Sequence, residues 1–328
     1  MKRSGSQVAF EAIPAAGVHG VGLRALPGNL LKLWRGFLQA RRILRAYRPD
    51  VLFFTGGYVA VPVALAGRKL PTALFVPDIE PGLALKTLAR FAKIIALPAE
   101  ASQAFFPGHA GLQVTGYPTR ADLQTWDRPA ARRALDLSDD LPVVLVVGGS
   151  SGARSINRAV LGVLPDLLAG AQVVHLTGRL DWPEVEAAAA DLPAALRARY
   201  RPFAYLHEQM GAALSAADLA VSRAGASTLG EFPLFGLPAI LVPYPHAWRY
   251  QQVNAQALAQ AGAARILADQ DLPTHLLPLI RELLADPAAC QSMRQAMHSL
   301  ARPGAAETIA RLLRDLAHPS GAGKGRTA

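Results

Sequence analysis

Cysteine is almost absent: Cys290 stands alone among 328 residues. One thiol excludes an intramolecular disulfide framework and argues against a cysteine-based zinc site, and it fits a reducing compartment. Charge is also scarce, at 18% of residues against 51% hydrophobic. The chain can therefore bury a sizeable core, and its composition is not that of a disordered protein. Acidic residues are the rarer sign, 24 against 34 Lys and Arg, which leaves a formal net charge of +10. That balance favours polyanions: nucleic acid, anionic lipid or a phosphate-rich substrate. No aromatic stacking platforms are interleaved with the positive charge, so no nucleic-acid partner is expected. Long apolar runs are missing too. Residues 51–66 come nearest to a membrane span, but Gly56, Gly57 and Pro62 interrupt them. The first ten residues are partly basic with no apolar stretch behind them, so no signal peptide is expected. His175, His207 and His246 are scattered without metal-ligand spacing, so no structural metal is expected.

What is present is an alternation of short apolar strands with helices, repeated in two halves. In the first half, residues 51–54, 71–76 and 94–97 read as buried strands, and 30–47 and 82–91 as helices. In the second, 142–147, 173–176, 218–221 and 239–242 read as strands, with helices from about Ala153 and Ser227. Nearly all-apolar strands separated by helices predict parallel sheets covered on both faces, an α/β fold. Residues 114–140, rich in proline and charge, read as a linker with a short helix. The predicted organisation is an N-terminal domain over 1–118, a linker over 119–140 and a C-terminal domain over 141–302. A helix over 303–317 is predicted to pack back on the first domain. The basic, glycine-rich tail 318–328 is predicted to be disordered.

Three turns follow strands in the second half and have the shape of ligand sites. Gly148-Gly149-Ser150-Ser151-Gly152 sits between a strand and a helix, where glycines let backbone approach a ligand and helical N–H groups face phosphate. A tight strand–helix turn without a ligand explains it equally well. Residues 222–231, SRAGASTLGE, make a second such turn. Ser227 and Thr228 can cap the helix, and Glu231 one turn in can accept two hydrogen bonds from a ribose diol. A capping box accounts for part of this, but not for Arg223 and the paired small residues. Gln251 and Gln252 offer amides suited to sugar hydroxyls, although a polar helix start is the simpler account on spacing alone. In open α/β sheets ligands bind outside the carboxyl ends of strands, so three such turns together weigh more than any one.

The first half has a glycine turn, Gly56-Gly57-Tyr58, and an acidic turn in which Asp78 or Glu80 is a candidate general base. A solvated turn before a helix explains the latter as well. From Leu30 to Tyr47 a basic amphipathic stretch sets Leu30, Trp34, Phe37 and Leu38 among Lys32, Arg35, Arg41, Arg42 and Arg45. Such a helix can rest on an anionic bilayer. Packing on a sheet with a solvated basic face explains the pattern slightly better.

Four segments, GGSSGARSIN (148–157), SRAGASTLGE (222–231), GLPAILVP (236–243) and QQVNA (251–255), occur in an order and spacing that resemble the MurG-type glycosyltransferases of family 28. The resemblance runs from about Lys32 to Leu316. It implies the GT-B fold, two Rossmann-like domains facing across a cleft. It also implies transfer of GlcNAc from UDP-GlcNAc to a polyprenyl-diphosphate-linked acceptor, lipid I, giving lipid II in peptidoglycan synthesis with inversion. No cofactor and no obligatory metal are implied, and the location implied is peripheral, on the cytoplasmic face of the bacterial plasma membrane. By the same resemblance, Arg120 and Ser150 are donor-site residues near the diphosphate. Ala226, Ser227, Thr228, Leu229, Gly230 and Glu231 form the donor-binding helix start, with Glu231 on the ribose. Gln251 and Gln252 contact the GlcNAc, Leu206 and His207 lie where backbone groups read uracil, and Tyr58, Asp78 and Asn157 fall on the acceptor side.

Asp78 stands where the family has an asparagine, which leaves a different lipid acceptor as an alternative. The strand and glycine loop ending in histidine with which the family opens find no match before Leu30. A missing first unit is therefore expected, with a catalytically dead or split nucleotide-sugar-binding subunit as a second alternative. A short strand over 8–13 is the competing expectation.

Overall fold

The computed structural model describes residues 9–16, 26–149, 151–246 and 249–318. Two parallel sheets form. The first has strands β1 (Leu52–Phe54), β2 (Thr72–Phe75), β3 (Ile94–Leu97) and β4 (Leu112–Val114), side by side in that order. The second has β5 (Val143–Val147), β6 (Gln172–Leu176), β7 (Tyr200–Phe203), β8 (Leu219–Ser222), β9 (Ala239–Leu241) and β10 (Ala264–Ile266). Its order is β10-β9-β8-β5-β6-β7. Counted within the domain that is 6-5-4-1-2-3, the doubly wound arrangement, whose switch point lies between β5 and β8. The two glycine-bearing turns of this half, 148–152 and 223–227, leave from those two strands.

The sequence dictates this layering through a two-residue period. Val143 and Leu145 of β5 enter one core, while Val144 and Val146 enter the other, on the opposite face of the sheet. In the first domain Leu74, Ile95 and Leu97 face one core. Phe75 and Ala96 face the other way and meet Ile309 of the helix Ala305–Ala317. The last helix thus closes the exposed face of the first sheet.

Three strands are absent from the sequence reading: β4, β7 and β10. All are edge strands, and β7 carries Arg201 and Pro202, which hides its pattern. A proline is tolerated there because an edge strand can spare an N–H. The helix expected from about Ala153 breaks at Val163 into Arg154–Gly162 and Leu164–Leu168. No strand forms over residues 9–13. Residues 9–16 run without sheet pairing along the helix Leu26–Tyr47, where Gln39 Nε2 donates to Ala12 O at 2.8 Å. The expected disordered tail from 319 onward, and residue 8 of the alternative strand, lie outside the described residues.

Candidate functional site

The site is assembled from the carboxyl ends of strands in both domains and from the linker between them. Gly230 opens onto that linker: a Cβ there would lie 2.9 Å from Tyr117 Cβ and from Tyr117 O, so the linker can pass only against a glycine. The adjacent Glu231 is largely enclosed, and burial raises its pKa while the Arg120 guanidinium pulls it back down. Among the described residues its carboxylate has no hydrogen-bond partner. Arg120 reaches the other way as well, donating from Nη2 to His207 O at 3.1 Å. Arg120, Glu231 and the 206–207 turn therefore form one cluster. Leu206 is itself buried in the core, so only its backbone is available to a ligand, and the exposed His207 ring lies tilted against Tyr205, with ring centroids 4.4 Å apart.

At the start of the helix Thr228–Phe235 the expected capping takes a different form. Ser227 is helical in conformation and makes no cap bond. Thr228 instead donates its hydroxyl to Gly225 O at 2.6 Å. Leu229 packs into the core and Gly230 against the linker, so packing claims both. This leaves Ala226, Ser227 and Glu231, each half-buried, as the groups of this turn that packing does not claim. Arg223, which exceeded a simple cap, is a structural clip: Nη2 donates to Ser155 Oγ at 2.7 Å and Nη1 to Val242 O at 3.1 Å, and it pairs with Asp269.

The loop 148–152 borders a cleft of about 1050 Å³ that Ser151, Arg154, Tyr244 and Gln251 also line. Gly149 and Gly152 have φ of 88° and 80°, which side-chain-bearing residues rarely adopt. Ser150 lies outside the described residues. Gln251 is oriented by Tyr244, whose N–H donates to its Oε1 at 2.9 Å, and Gln252 is exposed on the next position of the helix Tyr250–Gln260.

Across the cleft, the acidic turn meets the second domain. Asp78 Oδ1 accepts from Asn254 Nδ2 at 2.8 Å, and Ile79 N donates to Asn254 Oδ1 at 3.0 Å. The same Nδ2 donates to Ala224 O at 3.1 Å. Burial raises the Asp78 pKa, and the Asn254 bond partly offsets this. Asp78 and Glu231 share one electrostatic neighbourhood, since both raise the pKa of Tyr117 beyond what its burial does. Glu80 is differently placed. Its Oε2 lies 2.9 Å from Arg249 Nε, at ion-pair distance but without hydrogen-bond alignment, and Lys86 lies 3.8 Å from Oε1. The exposed Tyr58 sits near Tyr250, whose pKa rises through burial, then through Asp78, Glu80 and Tyr58.

Asn157 does not join the site. It is 2% exposed, and each of its side-chain polar atoms is bonded inside the second domain, so it cannot touch an acceptor. Conversely, Asn254, Tyr117 and Tyr250 are site residues that motif reading passes over. Asn254 carried the one available signal: it lies one turn after Gln251 on the same helix face.

The model for the glycosyltransferase family 28 C-terminal domain matches residues 143–309, and that for its N-terminal domain matches residues 3–97. The chain belongs to glycosyltransferase family 28. The family match reaches upstream of Leu30, further than the quoted motifs do. A relative from Roseiflexus sp. (strain RS-1) is 41% identical over 336 residues, covering 90% of this chain and 76% of its own. One from Desulfitobacterium hafniense (strain Y51) is 37% identical over 317 residues, covering 91% and 86%. Both are named UDP-N-acetylglucosamine–N-acetylmuramyl-(pentapeptide) pyrophosphoryl-undecaprenol N-acetylglucosamine transferase. The crystal structure of Acinetobacter baumannii MurG superposes with a TM-score of 0.69 at 26% identity, covering 88% of this chain and 79% of that one. A UDP-GlcNAc 2-epimerase from Neisseria meningitidis, at 14% identity and a TM-score of 0.64, shares the fold. The family 28 chain described here has the GT-B fold.

Proposed function

We propose that this family 28 chain is an inverting glycosyltransferase that moves GlcNAc from UDP-GlcNAc to lipid I, forming lipid II. The observation that carries the reading is the convergence of Arg120, Glu231 and the 206–207 backbone at the switch-point side of a sheet. Relatives so named match this chain at 37–41% identity over nine-tenths of its length. Uracil meets the 206–207 backbone, and the Glu231 carboxylate accepts from the ribose hydroxyls. The diphosphate meets the N–H groups of Ala226 and Ser227, the 148–152 loop and the Arg120 charge. Together these stabilise the negative charge that grows on departing UDP, without an obligatory metal. Gln251 and Gln252 hold the sugar.

Inversion requires a base on the opposite side of the anomeric carbon to take the acceptor hydroxyl's proton. Of the two carboxylates, Asp78 suits the part better. Only its Oδ1 is bonded among the described residues, and its raised pKa moves it toward the working range of a base. Glu80 is held by Arg249 and Lys86.

The membrane side of the first domain supports a lipid-linked acceptor. Among its described side chains, helix Leu26–Tyr47 buries a narrow stripe, Gly36 and Ala40, and leaves Trp34 58% exposed. A groove of about 810 Å³ beside it is lined by Leu30, Trp34 and Leu65 together with Arg41, Arg45, Arg68 and Lys69. No helix among the described residues is long and apolar enough to cross a membrane. We place the chain peripherally, on the cytoplasmic face.

The deciding experiment supplies UDP-GlcNAc and a short-chain lipid I analogue to the wild type and to Asp78→Asn. Disaccharide formation is expected from the wild type, with kcat reduced at least about 100-fold in the variant if Asp78 is the base. Absence of transfer by the wild type defeats the functional reading. Unchanged kcat in Asp78→Asn removes only the base assignment.

A further inference from the structure

A chain of buried hydrogen bonds runs beneath the glycine loop, and the reaction uses none of its members directly. Tyr200 OH and His175 Nδ1 are 2.8 Å apart, and His175 Nε2 lies 3.0 Å from Asn157 Oδ1. Asn157 Nδ2 donates to Thr177 O and to Asp181 Oδ2, each at 2.8 Å. The donors assign themselves. Nδ2 faces two acceptors, so the Asn157 oxygen faces His175, which must donate from Nε2 and accept the Tyr200 proton at Nδ1. Asp181 then receives Arg154 Nε at 2.9 Å, at the rim of the cleft.

The end of this chain touches the loop. A Cβ on Gly152 would lie 2.2 Å from Thr177 O, the atom that Asn157 holds. A Cβ on Gly178 would lie 2.5 Å from Gly152 Cα and 2.7 Å from Ser151 O. The loop is therefore seated directly on the 177–178 turn. A loop with three glycines in five residues has wide conformational freedom, and placing it costs backbone entropy. An apolar core of the same volume would stabilise this region as well as a polar network does. What a fully satisfied network adds is a single register of the groups it bonds.

We infer that Asn157 is a positioning residue, which through Thr177 O and Asp181 fixes the 151–152 backbone where the donor diphosphate binds. The inference rests on the donor reading above, and its role differs from the acceptor-side contact that the motif suggested. Uridine touches the 206–207 backbone and Glu231 but not the loop, so the two ends of the nucleotide separate the effects.

The test measures affinity for UDP and for uridine, together with melting temperature, in four proteins: the wild type, Asn157→Ala, Gly178→Ala and Val160→Ala. Gly178→Ala strains a left-handed backbone position (φ 78°) and pushes the two turns apart while leaving the Asn157 side chain in place, and so serves if Asn157→Ala does not fold. Val160→Ala deletes a buried side chain on the helix that carries Asn157, and so reports loss of stability alone. Asn157→Ala and Gly178→Ala should each weaken UDP at least about tenfold, with uridine within about twofold. Val160→Ala should melt earlier and leave the ratio of the two affinities intact. Unchanged UDP affinity in both positioning variants overturns the inference, as does equal weakening of UDP and uridine. A wild type that binds neither ligand defeats the donor reading instead.

Discussion

Glu231 is enclosed, negatively charged when ionised, and without a hydrogen-bond partner among the described residues. A carboxylate in that condition is costly until a ligand completes it. Charge-assisted hydrogen bonds to the ribose diol contribute about 1.5–3 kcal/mol each, so Glu231→Ala should weaken UDP binding at least about tenfold by calorimetry. The ionised form is the one that accepts both hydroxyls. Because burial raises this pKa, UDP affinity should begin to fall above the ordinary carboxylate range as the medium is acidified. In Glu231→Gln that acid-side loss should flatten. Affinity unchanged in a folded Glu231→Ala protein would remove this residue from the site. The position of the carboxylate, one helical turn after a strand and a small-residue turn, was legible in the sequence, although a capping box explained part of that pattern. Its neighbours were less so. Arg223 stood outside the capping account without a role, because a formal charge in a motif carries no sign of where its guanidinium points. Ser155 Oγ, Val242 O and Asp269 turn it inward.

Elements were legible where a residue period was strong. The nearly all-apolar β2, β5 and β8 are examples, because burial on both faces demands them. The edge strands β4, β7 and β10 escaped because each is only partly buried and their side chains are correspondingly mixed. Helix Leu26–Tyr47 is a third case, since periodicity found the helix but could not say how much of it packs. In the structure its buried stripe is one residue wide, and Trp34 stacks on Phe37 at 5.6 Å on the outer side. Vesicles of anionic phospholipid should bind the protein at low salt, and added salt should loosen the contact because the basic residues are screened while the apolar ones are not. Trp34→Ser with Phe37→Ser should reduce sedimentation with such vesicles further. Indifference to anionic vesicles at low salt would confine this helix to a packing role.

At the scale of the molecule, two domains and their order could be read from the repeated alternation and the shared motifs. The seam between them could not, since Asn254, Asp78 and Ile79 meet only in three dimensions. Stability should also depend on pH through the second domain. Burial lowers the His175 pKa to about 3, with Asp181 opposing. The unfolded chain takes up this proton near pH 6.5 while the folded one refuses it. The contribution of neutral His175 is therefore complete above about pH 6.5 and is lost as pH falls toward 3. Asp78 and Glu231, with raised pKa values, act in the opposite direction. Chemical unfolding at pH 7 and pH 5 should show a larger loss for the wild type than for His175→Gln. Equal losses would mean that the imidazole is solvated.

The amide of Ile79 belongs to one domain and owes its hydrogen bond to a side chain of the other. Its deuterium uptake is thus a clock for separation of the two halves. An amide inside β2 or β5 exchanges only when its own sheet opens, whereas that of Ile79 is released each time the cleft gapes. A nucleotide that draws the halves together should slow exchange at this amide while leaving the strand amides on either side unaltered. One proton on a single turn would then register every excursion of the cleft.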